Sequence, residues 1–247
     1  PLPGRQSLGR NQGRAQGLSD VRGGVDQAGR CALDGGGSMV KRAELIKAFA
    51  SMVGEDTLVV TPIGSTTPYW EELGRGPTSL TSVSLGMCTP AALGVALALP
   101  HRRVVALDSD GNLILNLCSL GTVGNQKPRN LLIVVFDNGN YLSGGPGGNK
   151  PGMPTATAGA MNLEVVAKGC GIEKACTVRT EEEFRSAVSK YLAEDGPAFV
   201  VAKIEPVDGR ERKGGRGPGA AGQDTRENKY SFVRHIERLE NITILKK

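Results

Sequence analysis

The sequence predicts an α/β fold, a three-layer sandwich with a mainly parallel sheet, on three observations. Short β-branched runs alternate with helical patterns through the middle of the chain. One run, NLLIVVF over 130–136, is apolar throughout, as a central strand covered on both faces must be. Helix-start chemistry recurs between the runs, with Thr89 before Pro90 and Thr180 three residues before Glu183.

The elements follow in order. A helix is expected over 40–53, a strand over 57–61 (TLVVT) and a weaker strand over 78–84. TPAALGVALAL (89–99) reads as a helix and RVVALD (103–108) as a strand. LILNLCSLGTV (113–123) has helical spacing, the apolar run at 130–136 is the central strand, and helices are expected over 162–171 and 180–195. PAFVVAKIE (197–205) is the last strand.

Composition divides the chain. Residues 1–38 hold ten glycines and no apolar periodicity, so they are expected to be a disordered leader, and organised sequence starts at Met39. The folded domain is assigned to 39–207, and 208–247 to a Gly/Arg-rich linker with a C-terminal amphipathic helix. The net charge of +5 divides the same way: +2 in 1–38, −1 in 39–207 and +4 in 208–247. A near-neutral domain with few aromatics argues against nucleic-acid binding. Five cysteines without a CxxC pair, and two histidines (His101 and His235), argue against zinc and iron–sulfur sites. Cys88, Cys118 and Cys170 are expected to be reduced core thiols. Neither a signal-peptide apolar region nor a membrane-length apolar run is present, so a cytoplasmic protein is expected.

Two strand exits carry the chemistry. Asp110 and Gly111 follow VVALDS directly, which puts the carboxylate at the carboxyl edge of the sheet beside a helix start whose free N–H groups suit a phosphate. The second exit offers the Asn138 amide and the Asn140 carbonyl. Carboxylate, amide oxygen and carbonyl are hard donors that suit Mg²⁺ when phosphates and water complete the shell. Either exit alone reads as an ordinary turn.

The pair of exits, SDGN and DNGNY, resembles the signature of thiamine diphosphate-dependent enzymes, and Asn138 stands 28 positions after Asp110. The stretch SVSLGMCTPAALGVALALPHRRVVALDSDG (82–111) resembles the loop, helix and strand that lead into that signature. The resemblance runs from about Met39 to Val207 and implies the thiamine diphosphate-binding fold of the diphosphate-binding domain. It implies Mg²⁺ at Asp110, Asn138 and the Asn140 carbonyl, and the diphosphate at Gly111 and Asn112, with Tyr141 among the cofactor-binding residues. Leu85 would wedge beneath the thiamine, although it reads equally as a core leucine; the Val83 carbonyl and Leu85 N–H would hold the aminopyrimidine edge. Ser109 stands where the signature has its first glycine. The segment 141–152 (YLSGGPGGNKPG) resembles the one that closes over substrate, with a plain surface loop as the other reading.

In that family a glutamate on a separate pyrimidine-binding domain activates the cofactor, and this chain has room for one such domain only. Glu205 is read as a strand-end surface carboxylate, so a partner chain (an alpha subunit) is expected to supply the glutamate. Among split enzymes the likeness is to decarboxylases of the sulfopyruvate and phosphonopyruvate type, which implies loss of CO₂ from a small anionic 2-oxo acid. An acetolactate-synthase-like carboligase subunit, a ferredoxin-linked oxidoreductase subunit and a catalytically silent thiamine diphosphate-binding subunit are the rivals. The oxidoreductase is disfavoured by the cysteine spacing. Lys150 and Arg75 are candidate anion partners, read first as solvated charges.

Overall fold

The computed structural model describes residues 39–141, 152–206 and 225–245. The assigned leader, most of the Gly-rich 141–152 segment with Lys150, and the Gly/Arg-rich linker lie outside them. In chain order the elements begin with α1 (Arg42–Ala50), β1 (Leu58–Pro62), α2 (Thr66–Glu72), β2 (Ser79–Val83), α3 (Cys88–Ala98) and β3 (Val104–Ser109). Next come α4 (Asp110–Ile114), α5 (Ser119–Gln126), β4 (Leu131–Asp137), β5 (Asn140–Tyr141) and β6 (Met153–Pro154). The last are α6 (Leu163–Gly169), β7 (Lys174–Val178), α7 (Glu181–Ala193), β8 (Ala198–Lys203) and α8 (Thr225–Glu240).

Strand periodicity builds the three layers. Leu58, Val60, Val104, Ala106, Ile133, Val135, Phe199 and Val201 point to one face, where α3, α5, α6 and α8 pack. The alternate positions, among them Val59, Val105, Leu107, Val134, Phe136 and Val200, point to the other, under α1, α2 and α7. The period-2 switch of side chains therefore supplies both cores from the same strands. Six parallel strands pair in the order β2-β1-β3-β4-β8-β7, as the α/β reading expects. From β1 the chain moves outward to β2, and from β3 it moves the opposite way to β4. That reversal leaves a crevice between β1 and β3 at their carboxyl ends, the place where such sheets bind ligands.

Several expectations change. The single helix over 113–123 is two, α4 and α5, separated by residues 115–118. Within that break the Asn116 amide oxygen accepts the Cys118 thiol, the local side-chain bonding by which asparagine competes with a helix. α5 can lie close to the turn after α6 because residue 124 is glycine: a Cβ there would fall 1.7 Å from the Cys170 carbonyl oxygen. The edge strand β7 was not expected at all. Cys118 is exposed and Cys170 only part-buried, so of the three expected core thiols Cys88 alone is one. Arg75 is half-buried rather than a solvated charge. Its Nη2 donates to the carbonyls of Ala50 and Val53, and its guanidinium lies over the Trp70 ring.

The C-terminal helix packs into the domain. Phe232 and Ile236 of α8 join one core, and the buried Asn228 accepts Thr81 N–H at 2.8 Å while donating to the carbonyls of Gly76 and Ser79. One amide thereby completes backbone groups along the outer edge of β2, which among the described residues has no neighbouring strand there. Asn228→Ala is expected to cost about 2–3 kcal/mol of stability, because buried backbone groups lose their partner. Chemical denaturation of the full chain measures it.

Candidate active site

Three strand exits meet at the crevice. β3 delivers Ser109 to Asn112, β4 delivers Asn138 to Tyr141, and β1 delivers Ile63 to Ser65; all contribute to one cavity of about 430 Å³. β3 and β4 are direct neighbours, with Ser109 opposite Phe136, so their exits emerge side by side. Among the expected residues Leu85, Asp110, Gly111, Asn112, Asn138, Asn140 and Tyr141 line this cavity. Val83 does not, and its carbonyl accepts Ile63 N–H at 2.8 Å.

Asp110 is 1% exposed. The hydroxyls of Thr155 and Thr157 both reach its Oδ2, at 2.7 and 3.1 Å. Thr157 also lies 2.8 Å from Asp137 Oδ1, and Lys203 pairs with the other oxygen of Asp137. Burial, and then the nearby Asp137 charge, push the Asp110 carboxyl above its ordinary range. Asp110 makes no ion pair among the described residues. An ionised Asp110 in this position thus has Arg42 as a distant counter-charge but no cation in contact, the place a bound cation fills.

Asn138 is also buried. Its Oδ1 accepts Asn140 N–H at 3.2 Å, while Nδ2 has no partner. Asn138 as a whole lines the cavity, and a buried amide with an idle donor is the kind of group a ligand can complete. Among the described residues no cluster of three or more His, Cys, Asp or Glu suits a metal. The donor set here is instead one carboxylate, one amide and one carbonyl, which fits a hard ion such as Mg²⁺ with phosphate oxygens completing the shell.

Ser109 needs no glycine-only backbone. It is extended (φ −130°, ψ 157°), and its Oγ caps α4 by accepting Asn112 N–H at 3.4 Å. The side chain of Asn112 is already committed: Nδ2 donates to Asp108 Oδ1 at 2.6 Å, and Oδ1 accepts Gly86 N–H at 2.8 Å. Asn112 thereby ties the 84–87 turn to the β3 exit and places Leu85. Leu85 is 63% exposed, so it is not a core leucine, and with Ile63 and Leu115 it gives the cavity an apolar wall. Gly111 lets Tyr141 lie across the exit, because a Cβ there would be 2.7 Å from the tyrosine ring. Gly111→Ala is expected to displace Tyr141 and weaken ligand binding at the cavity, with the intrinsic fluorescence response of the full chain to thiamine diphosphate as the readout.

Sequence reading missed Arg42, the β1 exit (Ile63, Gly64, Ser65) and the pair Thr155 and Thr157. The exit carried a signal, since TPIGS is a strand running into Gly-Ser.

The fold and this crevice define a cofactor-binding α/β domain, and the sequence pattern of the thiamine pyrophosphate enzyme C-terminal TPP binding domain matches residues 63–202. The chain belongs to the thiamine pyrophosphate enzyme family. It is 34% identical to "Sulfopyruvate decarboxylase subunit beta" of Methanocaldococcus jannaschii, over 68% of this chain and 86% of that one. It is 37% identical to "Phosphonopyruvate decarboxylase" of Streptomyces viridochromogenes over 52% of this chain, which spans only 31% of that longer protein. A similar solved fold is the thiamine diphosphate-dependent 4-hydroxybenzoylformate decarboxylase of Rhodococcus jostii RHA1, with a TM-score of 0.53 and 22% identity over 70% of this chain and 34% of that one.

Proposed function

We propose that this chain is the diphosphate-binding subunit of a thiamine diphosphate- and Mg²⁺-dependent decarboxylase acting on a small anionic 2-oxo acid of the sulfopyruvate or phosphonopyruvate type. The observation that carries this is the convergence of the Asp110 and Asn138 exits on one cavity walled by exposed Leu85, in a chain that spans most of a sulfopyruvate decarboxylase beta subunit. When bound, the cofactor supplies a nucleophilic carbon and an electron sink for loss of CO₂. The chain's own residues bind and orient it. Asp110, Asn138 and the Asn140 carbonyl hold the metal; Gly111 and the α4 backbone approach the diphosphate; Leu85 supports the rings; Tyr141 flanks the Gly111 turn.

Among the described residues Asp110 is the one carboxylate in the cavity wall, and no glutamate lines it. A glutamate against the cofactor's pyrimidine therefore has to come from elsewhere, and we assign it to a partner chain carrying a pyrimidine-binding domain. The "subunit beta" in the relatives' names is consistent with such a partner. The unpaired cysteines at 88, 118, 170 and 176 accord with a reducing, cytoplasmic setting. No helix among the described residues is long and apolar enough to cross a membrane. Co-purifying the chain with a pyrimidine-domain partner and assaying CO₂ and aldehyde release from sulfopyruvate and phosphonopyruvate tests the reading. Acetohydroxy acid formed from pyruvate instead would make the chain a carboligase subunit.

The raised Asp110 pKa sets a pH dependence. Metal binding needs the carboxylate, so Mg²⁺-dependent cofactor affinity is expected to fall on acidification from a pH above the ordinary aspartate range. For the ligand-free chain the sign is reversed. A group whose folded pKa is raised takes up a proton on folding within that window, so its contribution to stability improves as pH falls. Titrating cofactor affinity and unfolding free energy over the same pH series separates the two.

A further inference from the structure

α1 sends one side chain into the floor of the site. Arg42 is 4% exposed and lines the same cavity as Asp110. Its Nη1 donates to Thr66 Oγ1 at 3.0 Å, and its guanidinium lies 5.6 Å from the centre of the Phe136 ring. Nε is fully buried without a partner, and no carboxylate lies within ion-pair distance among the described residues. A buried guanidinium with five donors that makes one hydrogen bond to a neutral hydroxyl is far from satisfied. Burial drags its pKa down to about 10, while the more distant charges of Asp110 and Asp137 hold it up.

We propose that Arg42 is an oxyanion-binding residue of this cavity, its under-satisfied guanidinium taking the phosphate oxygens of the bound diphosphate. The inference rests on the cofactor assignment above and adds to it a cationic contact outside the metal and the strand exits. Local charge agrees. Arg42 and Lys203 balance Asp110 and Asp137 in the ligand-free site, so a divalent cation alone would leave a positive excess beneath the cavity. A diphosphate arriving with the metal reverses that excess, and the planar fork of arginine suits its tetrahedral oxygens. Thr66 and Phe136 fix the fork in place beforehand, so little side-chain freedom is lost on binding.

Calorimetry of the full chain with inorganic pyrophosphate and MgCl₂ tests this. Arg42→Gln is expected to weaken pyrophosphate binding about tenfold or more, with Arg42→Lys in between. Because a buried substitution can unfold the chain, a second measurement uses the wild type. The Arg42 Nε–H resonance, identified by its loss in Arg42→Lys, should shift on adding magnesium pyrophosphate. Unchanged affinity in folded Arg42→Gln, or a resonance that stays put while pyrophosphate binds, overturns the role of Arg42 and leaves the cofactor assignment standing. Binding of sulfoacetate lost in Arg42→Gln with pyrophosphate affinity intact also overturns it, and gives the residue to the substrate's anion. A wild-type chain that binds neither magnesium pyrophosphate nor magnesium thiamine diphosphate takes both readings down.

Discussion

Asp110→Ala is expected to abolish Mg²⁺-dependent thiamine diphosphate binding, lowering affinity by more than about 100-fold, since even outer-shell partners of a metal site are worth about 10–100-fold. The fold should survive. Asp110 is buried with two threonine hydroxyls and against the charge of Asp137, so its removal deletes a carboxylate that no cation among the described residues contacts. Thr155 and Thr157 keep each other as partners at 2.8 Å. Calorimetry with and without Mg²⁺ measures the loss, and thermal unfolding of the ligand-free variant should show a midpoint equal to or above wild type. A large fall in stability with affinity intact would make Asp110 a packing residue.

The second large effect is complementation. The isolated chain, loaded with Mg²⁺ and thiamine diphosphate, is expected to release no measurable CO₂ from sulfopyruvate or phosphonopyruvate. Among the described residues its cavity wall offers no carboxylate besides the proposed metal ligand Asp110. Mixing with a pyrimidine-domain chain should raise turnover by at least about 10²-fold, the usual scale of a positioned acid–base group. Replacing the partner's glutamate should remove the gain while cofactor binding persists. Full activity of this chain alone would contradict the shared site, and binding without turnover in every combination would favour a silent subunit.

The exposed leucine joins these two expectations. Leu85 and Met87 flank the turn that Asn112 anchors, and Leu115 stands across the cavity wall. Apolar side chains held outward by buried polar bonds are arranged to meet a ligand or another surface. Leu85→Ala should leave stability nearly unchanged, within about 0.5 kcal/mol for an exposed site, and should lower turnover of the assembled enzyme more than cofactor affinity.

Much of this was legible in the sequence because it was local. The sheet announced itself through β-branched runs and the doubly covered β4, and the two exits through turn chemistry at strand ends. What escaped depended on contacts distant in the chain. Arg42 sits in MVKRAELIKAF, where a charged residue reads as the wet face of a helix, yet it is buried under Phe136. Thr155 and Thr157 reach Asp110 from 45 and 47 residues away. The C-terminal helix looked separable because a Gly/Arg-rich stretch precedes it, and the fit of Asn228 to the edge of β2, with Phe232 and Ile236 in the core, makes it part of the domain. β7 was missed because KACTV is short and half-polar, as an edge strand is allowed to be. Ser109, where the signature has a glycine, takes an extended backbone open to any residue, which dihedral angles show and letters do not.

The central claim is that two neighbouring strand exits grip one divalent ion. Crystals of the full chain grown with Mn²⁺ and thiamine diphosphate test it through anomalous scattering. The account predicts a single peak bonded to the Asp110 carboxylate, the Asn138 amide oxygen and the Asn140 carbonyl at about 2.0–2.3 Å, with diphosphate oxygens closing the shell. Cofactor bound with its manganese away from Asp110 and Asn138, or bound with no metal at all, would contradict it.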